Sequence, residues 1–228
     1  MDAVNPRKMA NGEPPMLEEH FLRGTTDFAK AAALLDLNAV ESLLAAGTDD
    51  VDTGDVLNLT PLILLSRNRY SEADVPRAVE VIRRLIKAGA RVTDDTGRLK
   101  RDQYGDAMLH LAAMAAGHNG PAIMQALLEA IPPEALPRCV SAKCKNFGNT
   151  ALHWATLNGQ ADTCEILIAH GASLTKKNRQ KETVIDYAIK YERDQLKARY
   201  RMLGQGTPPP SRPPERAAER GRHHVGIG

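Results

Sequence analysis

The chain has 228 residues, of which 43% are hydrophobic but only 4% aromatic. It therefore has enough apolar side chains for a core, and that core must be built mainly from aliphatic residues. Its 30 lysines and arginines nearly balance 28 aspartates and glutamates, so the chain as a whole has no strong electrostatic attraction to nucleic acid. Polar residues interrupt every apolar stretch well before the ~20 positions that a transmembrane helix needs. The first residues lack the apolar segment of a secretory signal.

Five copies of a short motif recur along the chain and predict the start of a helix each time. They read GTTDFAKA (24–31), NLTPLILL (58–65), GDAMLHLA (105–112), GNTALHWA (148–155) and KETVIDYA (181–188). The threonine-equivalent positions 26, 60, 107, 150 and 183 are separated by 34, 47, 43 and 33 residues. Such spacing indicates repeats of one supersecondary unit, two of them lengthened by insertions. Hydroxyls at Thr60, Thr150 and Thr183 can cap these helices, and Pro61 suits a first turn.

A second helix is predicted after each first helix, because apolar residues recur there at helical spacing. Examples are Val79, Ile82 and Leu85 in the second unit. Gly47, Gly89 and Gly171 follow three of these segments and are placed for a left-handed helix stop.

The motif resembles the first-helix signature G-x-T-P-L-H-x-A of the ankyrin-repeat family, and the resemblance covers about residues 24–204. It implies an all-α solenoid of stacked helix pairs with hairpin fingers, whose concave groove usually docks partner proteins. In the family, the motif histidine ties the helix cap to the neighbouring loop. His110 and His153 match this position, whereas Ile63 and Asp186 depart from it.

The predicted organisation is a central ankyrin-repeat domain, residues 16–205, between two disordered ends. The segments 1–15 and 206–228 lack a core-forming pattern, and the second of them is rich in proline and arginine. The five predicted repeats lie near 24–56, 57–103, 104–145, 146–178 and 179–204. Insertions are expected near 67–74, 91–104 and 131–139, where either function or plain tolerance of extra residues explains them equally well.

No motif supports catalysis, a metal or a cofactor. Asp50 to Asp55 resembles a calcium loop, but its twelfth position is Pro61 instead of a bidentate glutamate. The three cysteines lack zinc-site spacing and a CxxC pair, which favours free thiols in a reducing, intracellular compartment. Cys164 lies on the apolar stripe of a helix, where a thiol is inert. The chain is therefore predicted to be non-enzymatic, in the cytoplasm or alternatively the nucleus.

Charge is distributed unevenly, with −7 over residues 1–56 and +6 over residues 138–205. The first predicted finger carries Asp49, Asp50, Asp52 and Asp55, whereas the later fingers carry lysines and arginines. We therefore expect a groove that runs from acidic to basic and orients a complementary partner, although solvated tips would show the same pattern.

Candidate partner-binding residues lie on the fingers, at the ends of the first helices and beside the first insertion. They are Arg67, Arg69, Tyr70, Arg101, Asp106, Lys143, Lys145, Asn149, Asn158, Gln160, Lys176, Lys177, Arg179 and Lys181. Trp154, the only tryptophan, is instead predicted to pack between repeats.

The predicted function is an adaptor, inhibitor or recruitment surface for another protein, with a monomeric chain and no membrane contact. Two alternatives remain open: nucleic-acid contact through the basic C-terminal fingers and tail, and a regulatory subunit of an enzyme. Scarce aromatic residues argue against the first, because base stacking needs them.

Overall fold

The structure, a computed structural model, describes residues 26–47, 51–55, 58–115 and 120–204. Within these ranges the regular secondary structure is helical, apart from two isolated antiparallel bridges, Thr93 with Leu99 and Arg101 with Ala107. The predictions for segments 1–15 and 206–228, and for Asp49 and Asp50, fall outside the described residues.

The helices form five pairs and one short additional helix. The first members begin directly after the motif positions 26, 60, 107, 150 and 183: α1 (Asp27–Ala33), α3 (Pro61–Arg67), α5 (Met108–Met114), α8 (Ala151–Leu157) and α10 (Val184–Lys190). The second members are α2 (Leu37–Ala46), α4 (Val75–Lys87), α6 (Gly120–Glu129), α9 (Ala161–Ala169) and α11 (Asp194–Gly204), and the additional helix is α7 (Leu136–Val140).

Threonine caps account for most of the first-helix starts. The Thr60 hydroxyl accepts from the Ile63 amide at 3.3 Å, and the Thr183 hydroxyl accepts from the Asp186 amide at 3.3 Å. Thr150 departs from this prediction, because its hydroxyl lies 2.9 Å from Nδ1 of His153 and makes no cap bond to the backbone.

The first helices pack against one another in chain order, and second helices α4, α6 and α9 pack in a row behind them. Leu62, Leu109 and Leu152 occupy equivalent positions of α3, α5 and α8 and are almost fully buried. Burying such a side chain contributes about 2 kcal/mol, and each helix pair needs its neighbour to complete that burial. The predicted all-α solenoid of stacked helix pairs is therefore confirmed.

Two of the predicted insertions pack against each other. After α6 the proline-rich segment 131–135 interrupts the helix, and the chain then re-enters a helix as α7. The Arg138 guanidinium donates to the Thr96 carbonyl at 2.9 Å, and the Cys139 thiol lies 3.6 Å from the Gly97 carbonyl. Helix α7 therefore fastens the lengthened hairpin 91–104 to the third repeat.

Candidate functional site: the hairpin fingers

The hairpin fingers are joined to one another by direct contacts. Asn58 donates from Nδ2 to the Arg101 carbonyl. The Arg179 amide donates to the Phe147 carbonyl at 3.0 Å. Lys145 packs so closely over Gly105 that a side chain there would overlap it. The fingers thus form a continuous row whose members have fixed relative positions.

Two buried histidines anchor this row to the helices. His110 accepts the Ala107 amide at Nδ1 (3.1 Å), and its Nε2 donates to the Ala142 carbonyl at 3.0 Å. His153 likewise accepts the Thr150 amide at Nδ1 and donates from Nε2 to the Glu182 carbonyl at 3.2 Å. Each ring therefore links a helix cap to the following hairpin, as the family resemblance implied.

These hydrogen bonds require a neutral imidazole, with one nitrogen accepting and the other donating. Burial lowers the pKa of His110 from 6.5 to about 4, and it also lowers the pKa of His153. Both histidines are thus uncharged at neutral pH, and their role is structural.

Basic side chains project from the fingers, and we refer to the set below as the finger surface. It comprises Arg101, Lys143, Lys145, Lys176, Lys177, Arg179 and Lys181. Arg101 and Lys176 are partly buried, and the others are exposed. In the described part of the chain none of the seven forms an ion pair. Their positive charge therefore remains available for an external partner.

Two exposed aromatic rings accompany these charges, which sequence reasoning missed. Tyr104 is 55% exposed and Phe147 is 47% exposed, and each directly precedes a left-handed glycine, Gly105 or Gly148. The aromatic–glycine pair at the same motif position in two repeats is the signal that could have revealed them. Phe147 rests edge-on against Trp154, with ring centroids 5.7 Å apart, and Trp154 itself is in the core as predicted.

The prediction for Asn149 is wrong, because this side chain is buried rather than presented to a partner. Its Oδ1 accepts from Nδ2 of Asn178 at 3.0 Å and from the Tyr187 hydroxyl at 3.1 Å. Only 1% of the residue is exposed. Asn149 therefore joins the fourth and fifth repeats internally.

Asn158 and Gln160 are partly buried, and their side chains are turned toward other parts of the protein. Nδ2 of Asn158 donates to the Ala113 carbonyl at 2.9 Å, at the end of the preceding first helix. Both polar side-chain atoms of Gln160 are buried. Their role as partner contacts stays a prediction.

Arg67, Arg69 and Tyr70 lie at the opposite end of α3 from the fingers. A helix of seven residues places these ends about 10 Å apart. The Tyr70 hydroxyl donates to the Leu65 carbonyl at 3.2 Å, and burial raises the pKa of that hydroxyl. The structure therefore does not bring this group into the finger surface, and its partner role stays a prediction.

Two acids at the acidic end of the expected charge gradient are engaged by other parts of the chain. Asp52 is 93% buried as a side chain and forms ion pairs with Arg91 and Lys100. The Asp55 carboxylate accepts from the Leu59 amide at 2.9 Å. Asp106 of the second finger is half-buried, and burial together with the charge of Asp102 raises its pKa. Asp49 and Asp50 lie outside the described residues, so the graded charge of the groove stays a prediction.

The described ranges contain no group of three or more His, Cys, Asp or Glu side chains able to hold a metal ion. All three cysteines are buried, and burial raises the pKa of the Cys164 thiol to about 11. In the same ranges no helix has both the length and the apolar character to cross a membrane.

Comparison with known proteins locates the family signal in the C-terminal half of the solenoid. A family model described as "Ankyrin repeats (3 copies)" matches residues 109–200. No curated protein matches the chain. The match includes the histidine-bearing helices α5 and α8 and most of the finger surface, whereas the first two predicted repeats lie outside it.

Proposed function

Because residues 109–200 belong to the ankyrin-repeat family, we propose that this chain is a non-enzymatic module that binds a partner protein through its finger surface. Ankyrin repeats are generally protein–protein interaction modules. The observation that carries the proposal is the row of basic side chains that form no ion pair with the described residues, on fingers that are fastened to one another.

Rigidity supports this role. The bond between the Arg179 amide and the Phe147 carbonyl fixes the spacing between the last two fingers. The histidine bonds to Ala142 and Glu182 hold these hairpins against the helices. A surface that is already ordered loses little conformational entropy when a partner docks, so more of the contact energy becomes affinity.

The charge and the rings together suggest the partner's chemistry. Exposed lysines and arginines attract an acidic segment and orient it during encounter. Tyr104 and Phe147 add apolar area among these charges, and tyrosine and arginine are favoured anchor types at interfaces. An acidic segment with apolar side chains fits this combination, and its capture would make the chain an adaptor, inhibitor or recruitment surface.

Charge reversal at two neighbouring fingers tests the proposal. We expect Lys145→Glu with Arg179→Glu to abolish retention of a specific protein in a pull-down from the native cell, with the solenoid still folded by circular dichroism. The matched control is Arg83→Glu with Lys87→Glu, which makes the same charge change at exposed positions of α4. Equal retention by both double variants would reject the proposal that the partner binds through the finger surface.

Nucleic acid is the second candidate, favoured by the exposed Tyr104 and Phe147 beside basic residues. Single-stranded binding commonly combines a basic track with aromatic stacking platforms. Filter binding of single-stranded RNA and DNA at 50 mM and 200 mM salt separates the two candidates. Affinity that falls steeply with salt and depends on Phe147 would support this candidate, whereas no retention at either salt would dismiss it.

A further inference from the structure

The two packed insertions line a half-open cavity next to the finger surface. It has a volume of about 400 Å³ and lies where hairpin 91–104, helix α7 and the last finger meet. Four of its lining residues are basic: Arg98, Arg101, Arg138 and Lys176. None of the residues that line it is acidic.

Two of the cations are held in place by the backbone. Arg138 donates from Nη1 to the Thr96 carbonyl, and Arg101 donates from Nη1 to the Gly105 carbonyl. A guanidinium carries five N–H donors in a fixed fork, so each arginine is oriented by one donor while others stay available. In the described ranges neither side chain forms an ion pair.

The other two cations are the exposed Arg98 and the half-buried Lys176. Among the described residues, Arg98 and Lys176 form no ion pair. The nearby Asp94 directs its Oδ1 to the Thr96 and Arg98 backbone amides and to the Thr96 hydroxyl, which closes the hairpin turn. Its carboxylate is therefore held by the turn, although its negative charge also acts on Arg98 and on Cys139 of the lining.

Four like charges around one cavity repel one another, and the repulsion is largest when the site is empty. An anion that binds between them relieves this repulsion and gains charge-assisted hydrogen bonds. Planar guanidinium forks match the oxygen geometry of phosphate, and three of the four cations are arginines.

The remaining lining suits the rest of a small ligand. Leu99, Cys139 and Ala142 give the cavity an apolar portion beside the cations. The volume falls in the range of about 300–1,000 Å³ typical of small-molecule sites, larger than a single phosphate requires.

We propose that this cavity binds a small molecule that carries a phosphate or pyrophosphate group, with Arg98, Arg138 and Lys176 contacting the phosphoryl oxygens. The site combines residues from two insertions and one finger, so it is formed only in the folded stack. It shares Arg101 and Lys176 with the finger surface. The two proposals are tested with different residues and probes, because the pull-down changes Lys145 and Arg179, whereas the test below uses pyrophosphate and changes Arg98 and Lys176.

Inorganic pyrophosphate titrated into the full chain tests the site by calorimetry, with chloride at matched ionic strength as the blank. We expect saturable binding to the wild type and at least tenfold weaker binding to the variant Arg98→Gln with Lys176→Gln. The control Arg83→Gln with Lys87→Gln removes the same charge outside the cavity and should bind within twofold of the wild type. The proposal is overturned if titrated pyrophosphate gives no more heat than chloride, or if both variants bind pyrophosphate equally weakly.

A second measurement needs no variant. Phenylglyoxal modifies accessible arginines, and mass spectrometry maps the modified positions in the wild-type chain. Pyrophosphate should slow modification at Arg98 and Arg138 severalfold while leaving Arg83 unchanged. Unaltered modification at all three positions would contradict binding in this cavity, whatever the fate of the glutamine variants.

Discussion

The third and fourth repeats begin their first helices differently from the fifth. In α5 and α8 a histidine reaches across to the next hairpin, at Ala142 and Glu182 respectively. In α10 the same position is Asp186, whose carboxylate folds back to accept the Thr183 amide at 2.7 Å and its hydroxyl at 2.8 Å. Among the described residues, this carboxylate makes no bond to another hairpin.

The comparison shows that the motif histidine connects repeats, whereas the aspartate only closes its own helix start. Helix α3 offers a third case, because it precedes a hairpin but has the buried Ile63 at the position of the motif histidine. There the cross-repeat bond comes from Asn58, which donates to the Arg101 carbonyl. Polar links across the described boundaries thus come from different residue types.

The largest expected effect is at His110. His110→Ala leaves the Ala107 amide and the Ala142 carbonyl buried without their partner and opens a cavity. We expect a loss of about 4 kcal/mol in the free energy of unfolding, measured by urea denaturation. The same substitution at His153 should cost a similar amount, and a loss below ~1 kcal/mol at both would mean that the histidines do not connect the repeats.

Acid should weaken the third and fourth repeats before the fifth. The folded state holds His110 with a pKa of about 4 against 6.5 for a free histidine, so the unfolded chain takes up the proton more readily. Stability is therefore complete above pH 6.5 and falls by about 3 kcal/mol as the pH drops to about 4. Asp186, whose pKa is lowered chiefly by the hydrogen bonds from Thr183, loses its contribution only below its usual value of 3.8.

Urea titrations at several pH values between 7 and 4 measure this loss directly. The variant His110→Ala, compared at each pH, should show a flatter dependence because its main titrating group is gone. A wild-type stability that stays constant from pH 6.5 to 4.5 would show that neither histidine is forced to remain neutral.

The finger glycines should show the next largest effect. Gly148 has a φ of +68°, and a Cβ there would lie 3.0 Å from the Arg179 amide nitrogen and 2.8 Å from its Cγ. We expect Gly148→Ala to cost about 2 kcal/mol through backbone strain and this overlap. Gly89→Ala has a left-handed φ but open space around it and should cost less in the same denaturation assay; equal costs would remove the finger contact from the explanation.

A smaller loss is expected at the cap of α10. Asp186→Ala removes the bonds to the Thr183 amide and hydroxyl on an exposed surface, where water can replace them. We expect a cost of about 1 kcal/mol, and hence a clear gap to His110→Ala. If the two substitutions prove equally costly by urea denaturation, the distinction between connecting and closing residues fails.

The smallest effect should be a gain at Lys181, the fifth-repeat counterpart of Gly148. Lys181 adopts a left-handed φ of +64° despite its side chain. Lys181→Gly should raise stability by about 0.5 kcal/mol, since relief of strain slightly exceeds the entropy cost of glycine. A calorimetric melting temperature that falls instead would indicate that the lysine side chain stabilises this finger.

Local sequence signals predicted the helical framework closely. The motif positions 26, 60, 107, 150 and 183 mark the residue before each first helix, because capping and helix period are encoded within a few residues. Gly47, Gly89 and Gly171 adopt the expected left-handed conformation for the same reason. The histidine links at His110 and His153 followed from the family resemblance.

The candidate site was harder to predict, because exposure depends on residues from neighbouring repeats. Asn149 occupies a position that often faces a groove, yet Tyr187 and Asn178 of the next unit bury it. By sequence, Asp52 is one of the acidic residues of the first predicted finger, whereas the structure pairs it with Arg91 and Lys100. No local pattern reports such distant partners.

Sequence alone thus determined the repeat motif, the helix starts and the aliphatic residues that supply the core, since each can be recognised within one unit. Only the tertiary structure decided that hairpin 91–104 and helix α7 pack together and that four cations surround one cavity. It also decided which finger charges stay unpaired. These outcomes depend on contacts between residues some 40 positions apart, such as Arg138 with Thr96, and so they arise only when the units stack.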